Sequence, residues 1–123
     1  MAKILIAEDN DDIRCLVARA LGDDGHELVE TADGAAALAA LHRHNGEFDL
    51  LLTDVKMPVM DGIALALAAG RHHPDVAIML MTGYADQRER SHGLDALVHD
   101  VIAKPFSLEQ IKGAVREALI ARH

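Results

Sequence analysis

Asp49-Leu50-Leu51-Leu52-Thr53-Asp54-Val55-Lys56-Met57-Pro58 is the stretch that decides the fold. Between Asp49 and Thr53 it is apolar at three successive positions, Leu50 to Leu52, rather than at alternate ones. A strand of this kind has both faces covered, as in a parallel sheet with helices on each side. The same character returns at Lys3 to Ala7, at Val76 to Met81 and at Val101-Ile102-Ala103. Glu27 to Thr31 is less apolar and suits an edge strand.

Helical patterns fill the intervals. Ile13, Leu16, Val17, Ala20 and Leu21 recur at i, i+3, i+4, i+7 and i+8, one apolar stripe, and Gly22 and Gly25 are expected to end that helix. An Ala-rich helix is expected from about Gly34 to His44, with Leu38 and Leu41 inward. A third runs from Gly62 to His72 and is stopped by Pro74. The last places Leu108, Ile111, Val115 and Leu119 on one stripe behind a Ser107 N-cap. Between the fourth and fifth strands, Asp86 to Gly93 is polar throughout, so a helix there is expected to be short or mobile. Five strands and five helices in strict alternation predict a doubly wound α/β fold with right-handed crossovers, residues 1–123 forming one domain, and the expected order of its parallel strands is 2-1-3-4-5.

Composition narrows the function. The chain has 123 residues, half of them apolar, and a formal net charge of −8. That charge argues against nonspecific binding to nucleic acid or to anionic membranes, which rely on Lys and Arg. Met1 leads directly into the first strand, without the apolar segment and cleavage site of a secretion signal, and no apolar run is long enough to span a bilayer. A cytoplasmic location is expected. Cys15 is alone and reads as a small helical residue. Of the eight histidines, His42 and His44 stand two apart on a helix and His72-His73 end another, so solvated side chains are expected rather than a metal site.

In open α/β sheets, ligands bind outside the carboxyl ends of the strands, where the strand order reverses. Glu8 and Asp9 follow the first strand, Asp54 the third, Thr82 the fourth and Lys104 the fifth, so all five share one edge. An Asp after a strand is commonly a turn former or a helix cap. Five polar residues meeting at one edge are harder to explain that way. Three carboxylates brought together repel by about 1 kcal/mol per pair at 4 Å in water, and by about 4 at an effective dielectric near 20. A cation relieves this, and all-oxygen ligands favour a hard one, with Mg²⁺ first and Mn²⁺ as substitute. Beside such an ion Asp54 suits a nucleophile toward phosphorus, Lys104 a clamp on the phosphoryl oxygens, and the Thr82 hydroxyl a donor to the acyl phosphate once formed.

The chain resembles the receiver domains of two-component response regulators over essentially its whole length. The motifs are Ile4-Leu5-Ile6-Ala7-Glu8-Asp9-Asn10, Leu51 to Gly62, Met81-Thr82-Gly83-Tyr84 and Lys104-Pro105-Phe106. The resemblance implies Asp54 as phosphoacceptor, Glu8 and Asp9 as acidic metal-site residues, and the Lys56 main-chain carbonyl as a further metal ligand. It also implies Thr82 as switch hydroxyl, Lys104 as phosphate partner and a cis bond before Pro105. Three features depart from the commoner pattern. Glu8 stands where Asp is more frequent and is expected to reach the metal through water. Val101 occupies the place of an aromatic that rotates on activation. Tyr84 offers a substitute aromatic, as in some stand-alone receivers and receivers attached to hybrid kinases.

Lys56 and Tyr84 flank the path of an attacking water and are expected to slow loss of the phosphoryl group. With only Ala121-Arg122-His123 after the last helix, output is expected to pass through contacts with another protein. The expected donor is a phosphohistidine on a sensor kinase or phosphotransfer protein, docking around Ile13, Arg14, Pro105 and Phe106. The effector face is expected on the polar segment and the fifth strand, and the chain as a monomer or a phosphorylation-dependent dimer. Overall resemblance extends to stand-alone cell-cycle receivers that act as adaptors for a regulated protease, and a phosphate sink is an alternative role. Two readings from other classes fit less well. A Mg²⁺-dependent phosphatase usually needs an acid where Lys56 stands, and an unphosphorylatable interaction module would be expected to lose Asp54 or Lys104.

Overall fold

Alternate residues of each central strand point to opposite faces of a pleated sheet, and here both sets are apolar. The computed structural model describes residues 2–83 and 98–121. Within them lie β1 (Lys3–Ala7), α1 (Asp11–Asp23), β2 (Glu27–Thr31), α2 (Gly34–Arg43), β3 (Leu50–Asp54), α3 (Gly62–His72), β4 (Ala77–Thr82), β5 (Asp100–Ala103) and a C-terminal helix, Leu108–Ala121. The five strands form one parallel sheet of order β2-β1-β3-β4-β5, as expected. Four helices fall among the described residues. The polar segment expected to hold the fifth, and Tyr84, lie outside them.

Leu5, Leu51, Ile78 and Leu80 face one layer with Ala37, Ala40 and Leu41 of α2 and Leu65, Ala66 and Ala69 of α3. Ile4, Ile6, Leu50, Leu52, Met79 and Met81 face the other, with Val17, Ala20 and Leu21 of α1 and Ile111 and Val115 of the C-terminal helix. Burial on both sides is what the unbroken apolar runs require, and a Leu→Ala change in such a core costs about 2–5 kcal/mol. Only the edge strands β2 and β5 expose part of their length.

The helix ends follow local chemistry. Asn10, Asp33 and Asp61 each accept a hydrogen bond from the backbone N–H three residues on, capping α1, α2 and α3. Ser107 and Gln110 exchange side-chain and backbone bonds, a capping box around the expected cap. Two expectations are corrected. α1 runs through Gly22 to Asp23, while Gly25, at φ of 84°, closes it as expected, its N–H donating to the Gly22 carbonyl and the His26 N–H to that of Leu21. Leu16 is 40% exposed rather than inward, since Val17, Ala20 and Leu21 already fill the layer.

Candidate functional site

Sheet register brings the polar residues together. Ala7 lies opposite Thr53, so Glu8 leaves β1 beside Asp54. Asp54 lies opposite Met81, which sets Thr82 one residue farther along the same edge. Thr82 lies opposite Ala103, and the Lys104 N–H donates to the Thr82 carbonyl at 2.7 Å. Three strand pairings thus bring Glu8, Asp54, Thr82 and Lys104 to one edge, as expected.

The loop after Asp54 is held tightly. The Val55 N–H donates to the Met81 carbonyl, and the Gly62 N–H to the Val55 carbonyl. A Cβ at position 62 would lie 1.9 Å from the Asp54 carbonyl oxygen, so only glycine lets α3 begin this close to the acidic edge. Val59, in the same loop, has φ of 69° and is 85% exposed, a left-handed backbone carried by a β-branched residue.

Glu8, Asp9 and Asp54 each offer a carboxylate oxygen within 4.8 Å of the others. Glu8 is fully buried, Asp54 nearly so, and Asp9 is exposed at the opening. Lys104 Nζ reaches Glu8 Oε1 at 2.6 Å and Asp54 Oδ1 at 3.2 Å. Burial would lower the Lys104 pKa, but its hydrogen bond to Glu8 and the charges of Asp54 and Glu8 outweigh that and raise it above the usual 10.5. Partial desolvation, then the hydrogen bond and charge of Glu8, raise the Asp9 carboxyl above its usual value. Glu8 is further fixed by the Asn10 N–H on its Oε2, while Arg14 Nη1 donates to the Glu8 carbonyl.

Three carboxylates against one ammonium leave two negative charges, and every free donor is a hard oxygen. This set suits one divalent hard cation. The groups line a cleft of about 510 Å³ that also includes Asn10, Lys56 and the apolar side chains of Ile13, Leu16, Pro105 and Phe106. Thr82 is buried where β4 meets this edge. The Lys104-Pro105 bond is cis, as the resemblance implied. Val101 is half-buried and packs against the layer that holds α2 and α3, so no aromatic stands at that place. Arg14 does not line the cleft; its guanidinium is tied to the Glu8 carbonyl and to Asp11.

His42 and His72 are exposed, as expected, yet histidines of different helices meet. His44 Nδ1 is 3.0 Å from Lys3 Nζ, whereas His42 Nδ1 meets His73 Nε2 at 3.1 Å. Nothing in the local spacing signalled that meeting, because α2 and α3 are brought side by side only by the sheet.

An acidic, lysine-bridged cleft at the carboxyl edge of a 2-1-3-4-5 sheet defines a phosphoacceptor signalling module rather than a conventional enzyme. The family model of the response regulator receiver domain matches residues 4–116, and the chain belongs to that family. It is 37% identical to the response regulator receiver protein CpdR of Brucella abortus, over 98% of this chain and 99% of that protein. It is 38% identical to the sensor kinase CckA of the same organism over 96% of this chain, which spans only 12% of CckA. The response regulator protein TrrA of Thermotoga maritima, solved in complex with Mg²⁺-BeF, superposes with a TM-score of 0.83 at 27% identity, covering 96% of this chain and 99% of TrrA.

Proposed function

We propose that the chain is a stand-alone switch operated by phosphorylation of Asp54, and that a phosphohistidine of a histidine kinase or histidine phosphotransfer protein is the donor. The observation that carries this is Lys104 held between Glu8 and Asp54, with Asp9 completing the acidic set. An Asp54 oxygen forms a bond to phosphorus as the phosphorus–nitrogen bond breaks, and the imidazole leaves with the electron pair and takes up a proton. Lys104 sits within reach of Asp54 and supplies positive charge to the oxygens in transfer. Asp9, Asp54 and the Lys56 main-chain carbonyl, with Glu8 behind them, are the groups that would hold Mg²⁺, or Mn²⁺ in its place. The bound ion supplies charge neutralisation for the phosphoryl oxygens. TrrA, whose solved form contains Mg²⁺-BeF, supports that choice.

Thr82 donates its hydroxyl to the phosphorylated Asp54, coupling the chemistry to the end of β4. The transfer and the later hydrolysis are catalysed by the domain itself, with Lys56 slowing hydrolysis from the cleft wall. Ile13, Leu16, Pro105 and Phe106 give the donor protein an apolar rim to dock on. The signal then passes to a protein effector in the cytoplasm, by the monomer or by a phosphorylation-dependent dimer, without nucleic acid or membrane. No helix among the described residues is long and apolar enough to cross a bilayer. An adaptor role in regulated proteolysis is a second reading of the output, consistent with similarity along the whole length to the receiver protein CpdR.

The test is incubation with acetyl phosphate and Mg²⁺, read by intact mass. A single phosphoryl adduct lost in Asp54→Asn supports the switch. Turnover of an external phosphate ester would mean a phosphatase, and no reaction an inert module.

A further inference from the structure

α2 and α3 lead into the amino ends of β3 and β4, so their C-termini lie at the sheet edge opposite Asp54 and Thr82. His42 stands in the last turn of α2, and His72 and His73 end and cap α3. His42 Nδ1 and His73 Nε2 are 3.1 Å apart, and the two ring centroids 5.2 Å. The His72 ring stands edge-on to that of His42 at 5.7 Å.

The placement of His73 is fixed by the fold. Its N–H donates to the Ala69 carbonyl at 2.7 Å, and its carbonyl accepts from Val76 N–H at 3.2 Å. Its Nδ1 lies against Gly46, where φ is 69° and a Cβ would come within 2.4 Å. A side chain at 46 would therefore displace the ring that meets His42. His44, nearer to His42 in sequence, is turned away by Lys3 and Phe48.

We propose that His42 and His73 form a two-imidazole site for a divalent transition metal ion of the Zn²⁺, Ni²⁺ or Cu²⁺ class, its remaining positions filled by water. Metal–imidazole bonds are about 2.0–2.1 Å, which puts two nitrogens on one ion about 2.9–3.4 Å apart, from right-angle to tetrahedral geometry. The observed 3.1 Å falls inside that range. The two nitrogens now face each other in a nitrogen–nitrogen hydrogen bond; for a metal ion to take both lone pairs, the donor ring changes tautomer, its hydrogen moving to its other nitrogen with no net release of a proton. Burial, then the charges of His42 and His72, lower the His73 pKa below its usual 6.5, which favours the neutral form that binds metal. Imidazole donors select these ions over Mg²⁺, which separates this site from the acidic cleft. Joining α2 to α3 through a metal also ties together two helices that are separated along the chain by residues 44–61 and share one core layer.

The experiment is calorimetric titration of the untagged chain with Zn²⁺ in excess Mg²⁺, repeated on His42→Gln, His73→Gln and His44→Gln. One Zn²⁺ per chain is expected for the wild type and for His44→Gln, with affinity at least about tenfold weaker in the other two. Circular dichroism melts without zinc check that each variant is folded. In the same buffer, Cu²⁺ spectra should report nitrogen ligands in the wild type that vanish in the His42→Gln, His73→Gln double variant. Equal zinc affinity in all four proteins, or no zinc binding by the wild type, would overturn the proposal. Neither result bears on phosphorylation at Asp54.

Discussion

Lys104 Nζ lies 2.6 Å from Glu8 and 3.2 Å from Asp54, so one ammonium serves two buried carboxylates. The shorter contact goes to the fully buried partner. That asymmetry orders the consequences of removing each charge.

Asp54→Asn removes two carboxylate repulsions and the longer of the two Lys104 contacts, while the Glu8 contact remains. The variant should be more stable than wild type without metal, by about 1 kcal/mol, or a few degrees in melting temperature. Mg²⁺ should raise the wild-type melting temperature, and Asp54→Asn should blunt that rise. Thermal melts with and without Mg²⁺ check both. Absence of either shift would mean that the carboxylates do not share a site.

Lys104→Ala strands the Glu8 carboxylate in the interior. Removing one partner of a buried pair costs about 3–5 kcal/mol, so this variant should lose far more stability than the Asp54 change gains. Adding Glu8→Gln should restore much of the loss, because the uncompensated charge then disappears. Denaturant titrations of the two single variants and the double measure the coupling.

The same pair sets an alkaline limit. The Lys104 pKa is raised in the folded protein above its unfolded 10.5, so the folded state binds the proton more tightly. Its stabilisation is complete below pH 10.5 and is lost as pH rises through the folded value. Stability measured against pH should fall more steeply there for wild type than for the Glu8→Gln, Lys104→Ala double variant.

Most of the fold was legible because both faces of the sheet are covered. Leu50-Leu51-Leu52 and Ile4-Leu5-Ile6 admit no other arrangement as easily, and strict alternation with helices pointed to a parallel, doubly wound sheet. The acidic edge followed, since each site residue lies at or just beyond the carboxyl end of its strand. What escaped was set by packing between distant elements. Leu16 belongs to the helical stripe by period alone, yet it faces the cleft once Val17 and Leu21 fill the core. The meeting of His42 with His73 depends on how α2 lies along α3, which no local spacing encodes. Nor does spacing reveal that Arg14 is engaged with the Glu8 carbonyl instead of waiting for a partner.

Val59 is a β-branched residue held at φ of 69°, a conformation that costs about 1–2 kcal/mol for an L-residue and less for Asn. Its side chain is mostly in solvent, so little packing is lost on replacement. Val59→Asn should therefore be stabilising by about 1 kcal/mol. An unchanged or lower melting temperature would show that the loop gains nothing from relief of that backbone.

The most direct test of the central claim is the site of phosphorylation. After reaction with acetyl phosphate in Mg²⁺, borohydride trapping and peptide mass mapping should place one phosphoryl group on Asp54. It should be absent in Asp54→Asn and from reactions in which Mg²⁺ is chelated. Label on any other residue, or full labelling of Asp54→Asn, would contradict the account.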